Sequence, residues 1–120
     1  MFALLMGLKT VSPEGLNQLV QGNGVTVVDV NSRQSWLQAR VPGARNLDPV
    51  AYSDGDLPPE KDSVLVFYCS NPLCRKAPNA ARRAEKMGYS DVRVLSAGIS
   101  GWLKAKLPTE SGEPGARSPV

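Results

Sequence analysis

Val64-Leu65-Val66-Phe67-Tyr68-Cys69-Ser70-Asn71-Pro72-Leu73-Cys74-Arg75-Lys76 is the stretch on which the fold turns. Its first five residues are apolar or aromatic with no polar alternate, which predicts a strand covered on both faces, as in the interior of a parallel sheet. The strand runs straight into Cys69. Ser70 to Lys76, interrupted by Pro72, reads as a loop, and Pro78 then opens a helix whose Ala80, Ala81, Ala84 and Met87 mark an inner face before Gly88 ends it. Small alanines allow that helix to lie close to the sheet. A cysteine thus sits between a buried strand and a helix N-terminus.

Working outward, Val25 to Val30 is a second β-branched run too apolar for a strand with one wet face. Ser12-Pro13-Glu14 supplies an N-cap, a proline for the first turn and an early acid, so a helix should extend to about Gln21. Arg33 to Arg40, with Trp36 and Leu37, reads as a helix ended by Pro42-Gly43, and Ala44 to Leu47 as a short strand. Val92 to Leu95 predicts a third buried strand, and Ile99 to Lys106 a last helix with Trp102 and Leu103 facing inward. The apolar run Phe2 to Leu8 reads as a first strand. Asp48, Asp54, Asp56, Glu60 and Asp62, interspersed with Pro and Gly, predict an exposed acidic loop. Strands alternating with helices imply an α/β fold of three layers, a central parallel sheet flanked by helices, with any ligand site at the carboxyl ends of the strands. Cys69 and Asp29 both fall there. Residues 1–107 form one expected domain, and residues 108–120, dominated by Pro, Gly, Ser and Glu, an expected disordered tail.

Composition narrows the chemistry. The chain has 120 residues, two cysteines and no histidine, so one core is expected, and imidazole bases, Ser-His-Asp and Cys-His mechanisms and imidazole zinc sites are excluded. Two thiols are half of an all-thiolate zinc site and too few for a disulfide framework, so no metal and no cofactor is expected. The formal charge of +3 is too mild to imply a nucleic-acid or membrane partner. No stretch approaches the roughly 20 apolar residues that span a bilayer, and free thiols suit a reducing compartment, so the cytoplasm is the expected location.

The positive excess gathers around the cysteines. Arg75, Lys76, Arg82, Arg83, Lys86 and Arg93 face only Glu85 and Asp91 between Cys69 and Arg93. A helix N-terminus and loop amides favour thiolate over thiol at Cys69, and Arg75 and Lys76 should lower its pKa further and draw in an anion. Cys69 is therefore the candidate nucleophile, with Ser70, Asn71, Leu73, Cys74, Arg75 and Lys76 as candidate anion-binding loop residues. Cys74 is either incidental, a resolving thiol or an acceptor of sulfur. Asp29 is expected to hold backbone or an arginine rather than to move protons. Trp36 and Trp102 read as core residues, and Arg82, Arg83 and Lys86 as a solvated stripe.

Val28-Asp29-Val30, Val41-Pro42-Gly43-Ala44-Arg45-Asn46, Phe67-Tyr68-Cys69, Met87-Gly88-Tyr89, Val92-Arg93-Val94-Leu95 and Ala97-Gly98-Ile99-Ser100-Gly101-Trp102 follow one another in the order of a known family. Over roughly Leu8 to Leu107 the chain resembles the single-domain rhodanese-like sulfurtransferases. The resemblance implies a Cys69 persulfide, fed by thiosulfate, a persulfide or a polysulfide and emptied onto a thiol, a protein acceptor or another nucleophile. Three positions depart from the family pattern: Arg40 for a histidine, Asn31 for an arginine, and Cys74 where an arginine or lysine usually follows the loop. Arg75 comes one residue later, the spacing of related phosphatases and arsenate reductases, which leaves that chemistry as an alternative using Cys69 and Arg75. Pro72, which removes one amide donor, and Tyr68, where those enzymes have histidine, both argue against it. A non-catalytic binding module is the remaining alternative.

Overall fold

In the computed structural model, which describes residue 3 and residues 6–114, the apolar runs become the interior of a five-stranded parallel sheet. The elements are β1 (Lys9–Val11), α1 (Pro13–Gln21), β2 (Thr26–Asp29), α2 (Arg33–Gln38), β3 (Arg45–Asn46), β4 (Val64–Tyr68), α3 (Lys76–Lys86), β5 (Asp91–Leu95) and α4 (Gly98–Lys104). The strand order is β1-β5-β4-β2-β3, every pairing parallel. The chain leaves β2 toward β3 on one side and β4 toward β5 on the other. The crevice between the carboxyl ends of β2 and β4 is therefore the topological switch point, where open α/β sheets bind ligands.

Alternation along β4 divides the core. Leu65, Phe67 and Cys69 pack with Val28, Val30, Val92 and Val94 against Ala77, Ala80, Ala81 and Ala84 of α3. Val66 and Tyr68 pack on the opposite face with Val27, Leu95, Leu16 of α1 and Trp102 of α4. Ser12 caps α1 as its sequence implies, its Oγ accepting from Gly15 N at 3.0 Å. Trp36 and Trp102 are buried, as expected of core residues.

On the second face, buried Asp29 ties β2 to β4. Tyr68 Oη donates to Asp29 Oδ2 at 2.6 Å, Asn31 N donates to Asp29 Oδ1 at 2.8 Å, and Val41 N donates to Tyr68 Oη at 3.1 Å. Burial raises the Asp29 carboxyl above its ordinary 3.8, against the opposing hydrogen bonds from Tyr68 and Asn31.

Several expectations need correction. Of the Phe2–Leu8 run, Phe2, Leu4 and Leu5 lie outside the described residues, while Ala3 is helical and Met6-Gly7 is a turn. The edge strand begins only at Lys9. Helix α3 starts at Lys76, two residues before Pro78, because a proline needs no amide partner in a first turn. Leu103 is 48% exposed: one residue beyond inward Trp102, it is turned about 100° around a helix of 3.6 residues per turn. The acidic loop exposes its carboxylates but is anchored by buried Tyr52, whose Oη donates to Ala80 O at 2.7 Å, and by Leu57. Of the basic stripe, Arg83 donates through Nε and Nη2 to Tyr52 O, and Arg82 bonds Met6 O, leaving Lys86 solvated.

The segment after Leu107 is docked through residue 114; residues 115–120 lie outside the described part. Arg40 and Glu110 exchange both backbone hydrogen bonds at 3.0 Å, Gly43 N donates to Glu110 Oε1 at 2.9 Å, and Gly112 N donates to Leu37 O at 2.8 Å. Arg40, 5% exposed, lies over the Trp36 ring at 4.1 Å and bonds Trp36 O at 3.1 Å. A polar composition predicted no packing here because its partners, backbone groups together with the Arg33 guanidinium and the Trp102 indole that donate to Glu113 and Pro108 O, are brought to it only by the fold.

Tyr68→Phe leaves Asp29 Oδ2 and Val41 N without their partner inside the core. Urea denaturation should show a loss of roughly 1–3 kcal/mol, the usual cost of an unsatisfied buried group. A change within the scatter of surface substitutions would show that this hydrogen bond does not tie the sheet.

Candidate functional site

Two neighbouring segments hold the Cys69 loop in place. Ile99 N donates to Cys69 O at 2.9 Å and Ser100 N to Ser70 O at 3.0 Å, so the first turn of α4 grips the loop by its carbonyls. Gly98, at φ +68°, makes this approach feasible, since a Cβ there would stand 2.6 Å from Asn71 N. From the other side, Ser70 Oγ donates to Asn31 Oδ1 at 2.9 Å. Asn46 Nδ2 in turn donates to the carbonyls of Asn31 at 2.9 Å and Asp29 at 3.1 Å.

Within the loop, Leu73 N donates to Asn71 Oδ1 at 2.9 Å and Cys74 N to Asn71 O at 3.1 Å. Those two amides are engaged, and Pro72 has none. Other amides act on sulfur: those of Ala77 and Ser70 favour the Cys69 thiolate, and those of Lys76 and Ser70 the Cys74 thiolate. Each thiol also shifts the other. Above them is a cavity of about 10 Å³, lined by Cys69, Cys74, Ala77, Pro78, Val94 and Ala3. It has room for roughly one water-sized group.

Cys69 was expected to have its thiol pKa lowered; its surroundings raise it. Its burial, 3% of the residue remaining exposed, pushes the thiol up to about 12, and the hydrogen bond to Cys74 adds to this, outweighing the amides of Ala77 and Ser70. Cys74 is partly exposed. Its burial alone would raise its pKa, but the Cys69 hydrogen bond, the amides of Lys76 and Ser70 and the Lys76 charge hold it below the ordinary 9.0. Cys74 is thus the more acidic of the two. The amides at the helix N-terminus do act on sulfur as anticipated, but the Lys76 charge acts on Cys74.

The other expected site residues divide cleanly. Asn71 orders the loop internally and Leu73, 71% exposed, points away from the thiols. Arg75 stands at the N-cap position of α3 and Lys76 begins it, both exposed, and neither lines the cavity. Asp29 lies on the far face with Tyr68, holding backbone as expected but the Tyr68 hydroxyl in place of an arginine, and takes no part in the cavity. Asn31, Asn46 and Gly98 are the residues that sequence reasoning missed as supports of the loop. The signal at Asn31 was its replacement of the family's usual arginine, and Gly98 stood visible only as part of a turn.

Residues 12–105 match the rhodanese-like domain family. The chain belongs to that family. Thiosulfate sulfurtransferase GlpE of Pseudomonas aeruginosa is 31% identical over 104 residues, covering 86% of this chain and 92% of that protein. The HTH-type transcriptional regulator Rv0324 of Mycobacterium tuberculosis is 33% identical over 90 residues, covering 75% of this chain but only 39% of the regulator. The fold matches the rhodanese-like domain of the Anabaena Alr3790 protein with a TM-score of 0.73 at 20% identity, covering 92% of this chain and 84% of that one. Sulfur-containing substrates are the business of the family. Among the described residues no helix is long and apolar enough to cross a membrane.

The difference in acidity predicts the order of thiol reactivity in this rhodanese-like domain. Peptide mass mapping after iodoacetamide treatment across a pH series should find Cys74 modified at a pH below the range of an ordinary thiol, with Cys69 lagging at every pH under about 12. Modification of Cys69 first would reverse the assignment. Gly98→Ala should cost roughly 1–3 kcal/mol and speed Cys69 alkylation, because the added methyl displaces the loop backbone.

Proposed function

We propose that this chain is a sulfurtransferase that moves sulfane sulfur from thiosulfate, a persulfide or a polysulfide to a thiol or another nucleophilic acceptor through a persulfide on Cys69. One observation carries this reading: the amides of Ser70, Lys76 and Ala77 act on two sulfur atoms beside a space for about one more small group. A tetrahedral oxyanion would need those amides free and a wider cradle. With Leu73 N and Cys74 N engaged by Asn71, phosphate or arsenate chemistry at Cys69 and Arg75 has few donors to work with.

With no histidine in the chain, the Cys69 proton leaves to water as the donor approaches, and the Cys69 sulfur attacks the donor's outer sulfur. With thiosulfate, the S–S bond breaks and its electron pair departs with sulfite. The persulfide anion then occupies the cavity, held by the N–H groups of Ala77 and Ser70. Arg75 and Lys76, exposed at the start of α3, draw in the anionic donor. An acceptor thiolate attacks the outer sulfur and returns Cys69, completing a two-step exchange. We place this chemistry in the cytoplasm, where both thiols stay reduced.

Anaerobic exposure to thiosulfate or polysulfide, followed by intact-mass and peptide mapping on Cys74→Ser, should give an adduct of about 32 Da, one sulfur, on Cys69. In wild type the same treatment should yield sulfite from thiosulfate. Cys69→Ser should lose both products and all transfer to a thiol acceptor. Full transfer by Cys69→Ser, or aryl-phosphate hydrolysis that vanishes in Arg75→Ala, would overturn the proposal.

A further inference from the structure

The second thiol at the site is not needed to form a persulfide, yet it lines the same small cavity as Cys69, and each thiol shifts the other's acidity. Cys74 N donates to Asn71 O across a tight turn, which folds the intervening residues and returns Cys74 to the cavity that Cys69 lines. Both sulfurs line one cavity, Cys69 at its buried floor and Cys74 at its more open side.

From this geometry we propose that the domain is also an intramolecular persulfide reductase, in which Cys74 attacks Cys69 and releases the bound sulfane sulfur as hydrosulfide, leaving a Cys69–Cys74 disulfide. The inference rests on the sulfurtransferase reading and goes beyond it, because the sulfur leaves as free sulfide instead of passing to an acceptor.

The step balances. The persulfide anion on Cys69 takes the proton from Cys74, and the Cys74 thiolate then attacks the Cys69 Sγ. The Cys69–Cys74 bond forms and the bond from Cys69 to the outer sulfur breaks. Its electron pair leaves with the outer sulfur as HS⁻. That sulfur is reduced to sulfide and the two cysteines are oxidised to a disulfide. A low-molecular-weight thiol reductant restores the dithiol by two exchange steps and is itself oxidised to its disulfide.

Two features favour attack at Cys69 Sγ over attack at the outer sulfur. Both cysteines line one cavity of about 10 Å³, so Cys74 stands next to Cys69 itself. Attack at the outer sulfur would have to expel the Cys69 thiolate into a buried apolar setting that disfavours it, whereas hydrosulfide is small, a better leaving group and close to the open side. The partly exposed Cys74 also leaves one edge of the disulfide open to the reductant.

The test uses the full chain, reduced, freed of small thiols and kept anaerobic, with thiosulfate and, separately, inorganic polysulfide as probes. Wild type should release about one sulfide per chain without added thiol and, after alkylation, show a species about 2 Da below the dithiol with both cysteines unmodified. Added thiol should make sulfide release catalytic. Cys74→Ser should keep the one-sulfur adduct and release sulfide only once thiol is added. A wild-type chain that retains its adduct with neither disulfide nor sulfide would overturn the reductase inference and leave the sulfurtransferase reading standing. If neither chain acquires sulfur or forms a disulfide, both are overturned.

Discussion

The hydrogen bond from Tyr68 to buried Asp29 is the constraint on which the site depends. It joins the ends of β2 and β4, the two strands whose connections diverge, and it fixes which way β4 faces at its last residue. With Tyr68 held toward α1 and α4, the next side chain is directed to the α3 face, and that side chain is Cys69. A carboxylate kept in such a place is costly by itself. It is tolerated because Tyr68 and the Asn31 amide occupy both of its oxygens, and among the described residues no buried side-chain polar atom lacks a partner.

From that anchor, the loop is shaped by backbone contacts. Gly98 admits the α4 backbone to within reach of Ser70, and Asn31 and Asn46 hold the opposite side. The first turn of α3 then directs two of its unpaired amides at sulfur, Lys76 N to Cys74 and Ala77 N to Cys69. The N-termini of α1 and α2 take a side-chain oxygen, from Ser12 and Ser32. Here thiols stand in that position, which links the stability of the loop to the protonation and oxidation of the cysteines.

Much of this was legible in the chain. An unbroken apolar run at Val64–Tyr68 and a mostly apolar one at Val25–Val30 marked the inner parallel strands, and the Ser12-Pro13 cap marked the start of α1, because these signals are local and strong. Cys69 could be assigned to a strand end and a helix start from the run before it and Pro78 after it. The docked residues after Leu107 were illegible, since their partners, the backbones of Arg40, Gly43 and Leu37 and the side chains of Arg33 and Trp102, are brought to them only by the fold. Leu103 was misplaced by treating two adjacent residues as one helix face. The loop was expected to offer all its amides to a ligand, and only the folded turn at Asn71 revealed that two are already taken.

The sequence by itself determined the alternation of buried strands and helices, the absence of an imidazole base and the placement of two thiols in one loop. These follow from residue identity and short spacing. Only the tertiary structure decided which thiol is the more acidic. That balance depends on burial and on amides brought from the loop and α3 together: Cys69 lies deep enough for lost solvation to push its thiol up, and Cys74, partly exposed, is held below the ordinary range beside Lys76.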